Sequence, residues 1–474
     1  MKASSVMEIT AVPKGNCEQI KKIKELHDNK QALPRRKKIR FRVDSPKTII
    51  PEVLLSRGWI QVDGKSEVWD LFWCDLAKLG MVLEKRLQES QRVPHFRNHY
   101  EISRKNYLFR NMIRYKKQLI RDKNVEETKY CDCIPLTFEI PNEYAMFCDY
   151  IKNNPKKTYI VKPACGCKGR GIFLFRKLRE LNEWKSTKDW TRTTAMVELV
   201  DKHGEVIRVE EKDLPPEQYV VQVYVDNPYL IAGRKFDLRF YVLVMSYMPL
   251  KVWIARDGFA RICGALYNLN NIKDNLSHLT NTSLQLATDV DAKGFKWPLR
   301  RLRMFLTAKH GMRAVEELFQ KMANLVITSL KSVQKVIMHN KHCFELYGYD
   351  VLLTDNLEPW LLEVNASPSL EATDSEDYEL KYNLLSDMFT VLDLENQLTG
   401  TELRVGGFDL LWDDGPVNMP PPSPDSCGPI IKNPKLNINL GCLNNREEQL
   451  TTLKEWRSFM MNDPVLMKRV PSKK

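Results

Sequence analysis

Residues 359–370 read PWLLEVNASPSL. The apolar run Trp360-Leu361-Leu362 has the pattern of a strand bound for the interior, yet it runs into Glu363 and Asn365, two residues that are costly to bury. Upstream, YGYDVLL (347–353) is a second strand-like run, and the turn TDNLE (354–358) joins the two as a hairpin. Glu363 and Asn365 are two positions apart, so they point to the same face, and Asp350 lies on the neighbouring strand. Two carboxylates and an amide oxygen form a hard-oxygen set of the kind that suits Mg²⁺, which keeps its other positions for water and phosphates. On this reading the polar pair is tolerable because a divalent cation and a polyphosphate neutralise it.

Two further strand-like stretches carry polar residues out of place. TYIVKPACGCKGRGIFLF (158–175) places Lys162, Lys168 and Arg170 in a loop with Gly166, Gly169 and Gly171, between two apolar runs. Glycines let a backbone approach a ligand closely, and the cations suit phosphates. A strand follows the loop, so it is neither a Walker loop nor a Rossmann turn, and a plain basic hairpin tip has the same composition. In YVVQVYVDNPYLIAGRKFDLRFYVLVMS (219–246), Gln222 interrupts an apolar strand, where its amide could meet the edge of a buried base. Asp237 and Arg239 share one face of the following strand, with Phe236, Leu238 and Phe240 on the other. That polar face reads as the lining of a cleft, with a structural ion pair as the alternative.

The chain has 474 residues, enough for two or three domains, and 43% hydrophobic content argues for a folded protein. No run of 18 apolar residues marks a membrane span, and the N-terminus lacks the apolar core of a secretory signal. The eleven cysteines are scattered, which reads as free thiols in a reducing compartment rather than a zinc site. Lys and Arg exceed Asp and Glu by 13, and the excess is concentrated. Residues 21–47, including RRKKIRFR, carry 11 basic and 3 acidic side chains. Residues 97–123 carry 9 and 2, and RKNYLFRNMIRYKKQLIRDK has Leu108, Met112, Tyr115 and Leu119 at helical spacing, with Arg110, Arg114, Lys117 and Arg121 on other faces. Such surfaces attract a polyanion; on charge alone, nucleic acid, anionic lipid and an acidic protein tail all remain open.

These readings divide the chain into a basic mobile arm (1–46), an N-terminal α/β domain with the basic helix (47–150), a central lobe (151–225), a C-terminal lobe with the metal hairpin (226–398), and an extension (399–474). The extension holds the Pro-rich linker VNMPPPSPDSCGP and one short helix. A cationic glycine loop, a strand amide, a polar strand and an Asp…Glu-x-Asn hairpin, in that order, make up the ATP-grasp arrangement, an α+β fold with ATP between two lobes.

AGRKFDLR (232–239), HLTN (278–281), KHCFELYGYD (341–350) and PWLLEVNASPSL together resemble the tubulin tyrosine ligase-like family, over roughly residues 50–450. RVGGFDLLWDDGPV (404–417) resembles that family's polyglutamylase branch typified by its ninth member. The resemblance implies an ATP- and Mg²⁺-dependent ligase that joins free L-glutamate to glutamate side chains of tubulin tails through an acyl phosphate. It implies that Lys162 and Gly169 hold the phosphates, with Lys168, Arg170 and Asn281 near the reacting groups. Gln222, Val223, Tyr224 and Val225 would meet the adenine, Lys235, Asp237 and Thr280 would make further nucleotide contacts, and Asp350, Glu363 and Asn365 would bind the metal. Arg261, Lys296 and Lys381 would receive the incoming amino acid, and fixed cations suit a substrate with two carboxylates. It further implies microtubules as partner, with accessory subunits, and cytoplasmic, ciliary or flagellar sites including axoneme and basal body. No nucleic-acid module or membrane attachment is expected. Lys168 stands where the family has glutamine, Arg170 where it has lysine, and Leu286 where it has lysine. These departures keep an impaired microtubule-binding member open as an alternative, beside a glycine ligase.

Overall fold

The protein is described by a computed structural model covering residues 38–44, 48–165, 169, 171–188, 195–200, 206–211, 218–286, 295–418 and 435–462. Everything below concerns the compact unit that begins at Ile39.

A small parallel sheet opens the unit. Strand β1 (Arg40–Val43) lies between β2 (Ile60–Gln61) and β3 (Leu71–Trp73). The basic run thus does not stay an arm up to residue 46. Ile39 and Phe41 are buried against helix α1 (Ile49–Ser56), while Arg40 pairs with Asp70 and Arg42 lies over the Phe72 ring. The alternation of IRFR, apolar then cationic, satisfies the period of a strand that is buried on one side.

Helix α2 (Lys105–Arg121) buries Leu108, Met112 and Leu119, the stripe expected from the sequence. It leads into a four-stranded antiparallel sheet in the order β4 (Thr137–Ile140), β9 (Tyr219–Val223), β5 (Tyr159–Pro163), β6 (Phe173–Phe175). The hairpin β7 (Ala195–Val200) and β8 (Val206–Glu211) stands in the chain between β6 and β9. Helices α3 (Tyr144–Asn153) and α4 (Leu178–Ser186) pack on the small sheet through a cluster that includes Phe147, Tyr159, Phe175 and Leu181.

The larger antiparallel sheet has β11 (Arg234–Tyr247) and β12 (Leu250–Ile262) at its centre. Beyond β11 come β14 (Glu345–Leu353) and β15 (Pro359–Asn365); beyond β12 come β17 (Phe408–Asp413) and β16 (Arg404–Val405). The short β10 (Leu230–Ile231) pairs with β11 and β13 (Phe295–Pro298) with β12. Phe236, Leu238, Phe240 and Val242 of β11 join the core formed with α5 (Leu299–Val333), a helix interrupted at Gly311. The alternate residues Tyr241 and Leu243 join the core formed with α6 (Ser375–Leu392). The period of two therefore assigns Asp237 and Arg239 to the α6 side.

The expected boundary at 398/399 falls inside this sheet, because β17 pairs with β12 in register Ile254↔Asp409 and Ala255↔Phe408. These strands are short, two residues in β16 and six in β17, and leave little periodic signal in the sequence. Helix α7 (Arg446–Asn462) matches the expected C-terminal helix, and Arg446 pairs with buried Asp387 of α6. Among the described residues no helix is long and apolar enough to cross a membrane.

Gly258 lies where β12 passes close to β11 and the start of α5. A Cβ there would stand 2.5 Å from the Arg239 carbonyl oxygen and 2.8 Å from Leu299 Cδ1. The backbone oxygen cannot rotate away, so strands must part. Gly258→Ala is expected to cost ~1–3 kcal/mol, as overpacking does, and to lower the melting temperature by a few degrees in a calorimetric scan; an unchanged transition would show that the strands yield freely.

Candidate active site

The register of the large sheet sets charged side chains in rows on one face. Lys296, Arg261 and Asp237 are successive cross-strand partners from β13, β12 and β11. Two residues along, Arg239, Asp350 and Glu363 are partners from β11, β14 and β15. A third row holds Tyr241, Gly348 and Asn365. An irregularity at Leu362 keeps Glu363 opposite Asp350, so Glu363 and Asn365 do share a face.

Asp350 is bound by two arginines. Arg239 donates through Nε and Nη2 at 2.5 and 2.9 Å, and Arg261 Nη2 lies 2.9 Å from Oδ2. Arg261 also forks onto Asp237, at 2.8 and 2.5 Å. Burial pushes the Asp350 carboxyl up from its ordinary value against the pull of both arginines. Glu363 moves the other way. Burial opposes its charge, but the Lys105 ammonium, 3.0 Å away, holds it well below the usual carboxylate range. The Glu363 side chain remains 24% exposed, at the mouth of a cleft.

That cleft, of about 690 Å³, lies between the two sheets. The small sheet supplies Ile160, Lys162 and Gln222, and the connection after β9 supplies Tyr224 and Val225. The large sheet supplies Lys235, Asp237, Arg261, Asp350, Leu352 and Glu363. Thr280 and Asn281 close one side, and Lys105 enters from the start of α2. Apolar Ile160, Ile172 and Leu352 stand beside four cations and three carboxylates, a lining suited to a flat ring joined to a polyanion. Burial pushes Lys162 down to about 8, with the Lys105 charge adding to the effect. Burial likewise pushes Lys235 down to about 8, against the pull of Cys263 and Asp237. Gly169 has φ +73°, and a Cβ there would come within 2.6 Å of Leu284 and 3.1 Å of Asn281 Oδ1. The glycine loop and the HLTN stretch therefore meet, and only glycine fits between them.

Six expected residues, Gln222, Val223, Lys235, Arg261, Lys296 and Lys381, sit differently from the sequence reading. Gln222 does line the cleft, but its amide is engaged within the protein: Oε1 accepts from Lys162 Nζ at 2.8 Å, and Nε2 donates to Thr137 Oγ1 at 2.8 Å. Gln222 thus steers the lysine rather than presenting a free edge. The Val223 N–H is likewise used, by the Leu136 carbonyl. Lys235 donates to Tyr224 Oη and to the His278 carbonyl, at 2.8 and 2.9 Å, and His278 is fixed between Tyr224 and the Asn271 carbonyl. Arg261, Lys296 and Lys381 do not form an open trio. Arg261 is bound to the two aspartates, while Lys296 and Lys381 both turn to Asp377. Lys168 and Arg170 lie outside the described residues.

Sequence reasoning missed Lys105, Arg239 as the clamp on Asp350, Thr137 and Asp377. Lys105 had no distinguishing signal, being one of nine basic residues in its segment. Only its burial at the first turn of α2, 7% exposed, sets it apart. Asp350 and Glu363 line the cleft and offer oxygen ligands only, which fits Mg²⁺ held jointly with phosphates, while Asn365 stands in the next row with its amide N–H toward Glu363 Oε1 at 3.3 Å. A carboxylate has about four acceptor sites, and the arginine contacts on Asp350 use three, which suits a single bond to a metal. Among the described residues no group of three or more His, Cys, Asp and Glu gathers as an all-protein metal cage.

Comparison with known proteins identifies the family. The family model "Tubulin-tyrosine ligase family" matches residues 83–399. A protein of Bos taurus named "Probable tubulin polyglutamylase TTLL9" is 47% identical over 431 residues, 88% of this chain and 93% of its own length. A Caenorhabditis elegans protein, "Probable tubulin polyglutamylase ttll-9", is 41% identical over 383 residues, 80% of this chain and 85% of its own. A Tetrahymena thermophila protein, "Probable alpha-tubulin polyglutamylase Ttll1", is 36% identical over 403 residues, 80% of this chain and 94% of its own. With a cleft of this chemistry between its sheets and a family match across most of its length, the chain belongs to the tubulin-tyrosine ligase family.

Proposed function

We propose that this protein is a tubulin polyglutamylase of ATP-grasp fold, ligating L-glutamate to glutamate side chains in tubulin C-terminal tails with consumption of ATP. The observation that carries the reading is the gathering of Lys162 and Lys105 with the Asp350–Glu363 pair in one cleft, in a chain whose relatives bear polyglutamylase names. The apolar walls would take the base, and Lys162, Lys235 and the Gly169 loop the phosphates. Asp350, Glu363 and Asn365 would hold Mg²⁺, which supplies charge neutralisation on the transferring phosphoryl group. Lys105 and Lys162 offset the same developing charge from the protein side.

Activation of a tail carboxylate as an acyl phosphate gives a good electrophile, and the amine of free glutamate displaces phosphate from it. No side-chain nucleophile is required. Lys296, beside Arg261 in the sheet, and Lys381 on α6, both held by Asp377, would receive the carboxylates of the incoming amino acid. On this reading the protein would work in cytoplasm and at axonemes or basal bodies of cilia and flagella, with accessory subunits.

The recognition surface we favour is a groove of about 780 Å³ between α2 and β4. Arg110, Arg114, Lys117 and Arg121 recur at helical spacing, and all four line this groove rather than scattering over several faces. The helix that carries them begins at Lys105, so the groove leads away from the cleft. An acidic tail fits this charge.

Two measurements test the reading. Purified protein given microtubules, ATP, Mg²⁺ and labelled glutamate or glycine should incorporate glutamate, and Glu363→Gln should lower turnover by about 100-fold or more with the fold retained. Near-normal turnover of that variant, or incorporation of glycine instead, would refute the assignment. Arg114→Glu, Lys117→Glu and Arg121→Glu together spare the Arg110–Glu139 ion pair. They are expected to weaken microtubule binding about tenfold or more at low salt, with a shrinking difference as salt rises, and to leave ATP binding unchanged. Equal microtubule affinity across the salt series rejects the groove.

A further inference from the structure

Asp377 lies one turn before Lys381 on α6 and is 4% exposed. Its Oδ2 is 2.9 Å from Lys381 Nζ and 3.1 Å from Lys296 Nζ. The same oxygen accepts the Thr373 N–H at 3.0 Å and the Thr373 hydroxyl at 3.2 Å. Oδ1 is buried and has no hydrogen-bond partner among the described residues. All the stabilisation of this carboxylate therefore comes through the oxygen that faces the two lysines. An orphaned buried oxygen is unfavourable, and asparagine would fill the same shape at less desolvation cost. The negative charge itself has to be what the site uses.

Lys381 shows what it is used for. Its side chain is 5% exposed, and its Nζ donates to the Glu371 carbonyl as well as to Asp377. Three charged groups face it: Asp377 from its own helix, Lys296 from β13 and Arg239 from β11. Burial pushes the ammonium below its ordinary value, Asp377 pushes it back up, and Lys296 and Arg239 push it down again. Without Asp377 only burial and two like charges would act, and all three push the ammonium further down, toward its neutral form.

We propose that Asp377 is a positioning residue, fixing Lys381 and Lys296 as a pair of cations aimed at the carboxylate of the incoming amino acid. This rests on the role given to those lysines above, and it adds the group that keeps them competent. The row Lys296–Arg261–Asp237 connects the pair to the cleft, and Arg261, the middle member of that row, reaches Asp350 directly at 2.9 Å.

The test compares the glutamate KM of full-length variants with that of the native protein between about pH 6.5 and 8.5. Asp377→Asn is expected to raise it by about tenfold or more, with the ratio to native growing as pH rises and the KM for ATP within about twofold. Arginine stays charged over this range, so adding Lys381→Arg to Asp377→Asn should make the ratio independent of pH. A pH-independent ratio in the single variant overturns the proposal, and so does a slope that persists in the double variant. Lys381→Ala separates the two levels: an unchanged glutamate KM there removes the lysines from the amino-acid site, whereas a raised one with no effect of Asp377→Asn rejects Asp377 alone. If Asp377→Asn does not fold, Asp377→Glu, which retains the charge, must keep the native pH profile, and a sloping ratio overturns the proposal.

Discussion

Asp350 in its fork of two arginines is the contact on which the rest of the site depends. A buried carboxylate is tolerated only if its charge is met, and Arg239 and Arg261 meet it from the two central strands of the large sheet. Arg261 in turn holds Asp237, so the ion cluster records the register of β11, β12 and β14 at once. Slipping any of these strands by one residue would turn its charges into the apolar core beneath α5. Electrostatics and strand pairing are therefore the same constraint, and the cleft inherits its shape from both.

The second feature is the way the phosphate side is assembled from elements far apart in the chain. Lys162 comes from the small sheet, Lys105 from the first turn of α2, and Lys235 from the large sheet. Each is steered by a neutral partner or an opposite charge: Gln222 for Lys162, Glu363 for Lys105, Tyr224 with the His278 carbonyl for Lys235. Because Lys105 is also the foot of the helix with the basic groove, the groove and the carboxylate pair share one rigid element.

Much of this was legible from residues 347–370. The hairpin, the shared face of Glu363 and Asn365, and the place of Asp350 follow from period two and a turn, which are local properties. The stripe of α2 was equally local. What could not be read was who partners whom across long separations. Gln222 inside a strand announces a buried amide but not that Lys162, 60 residues away, takes its oxygen. Arg261, Lys296 and Lys381 look alike as cations, and only the register and the position of α6 show that aspartates already hold them. The boundary at 398 failed for a related reason, since strands as short as β16 leave little periodic signal even when they complete a sheet.

Burial pushes two lysines in the cleft, Lys162 and Lys235, down to about 8. The cleft thus carries exchangeable protons that are partly given up on the alkaline side of neutrality. A polyanion bound beside these lysines would restore their charge and draw protons from the buffer, and the heat of its binding would then depend on the ionisation enthalpy of the buffer that gives them up.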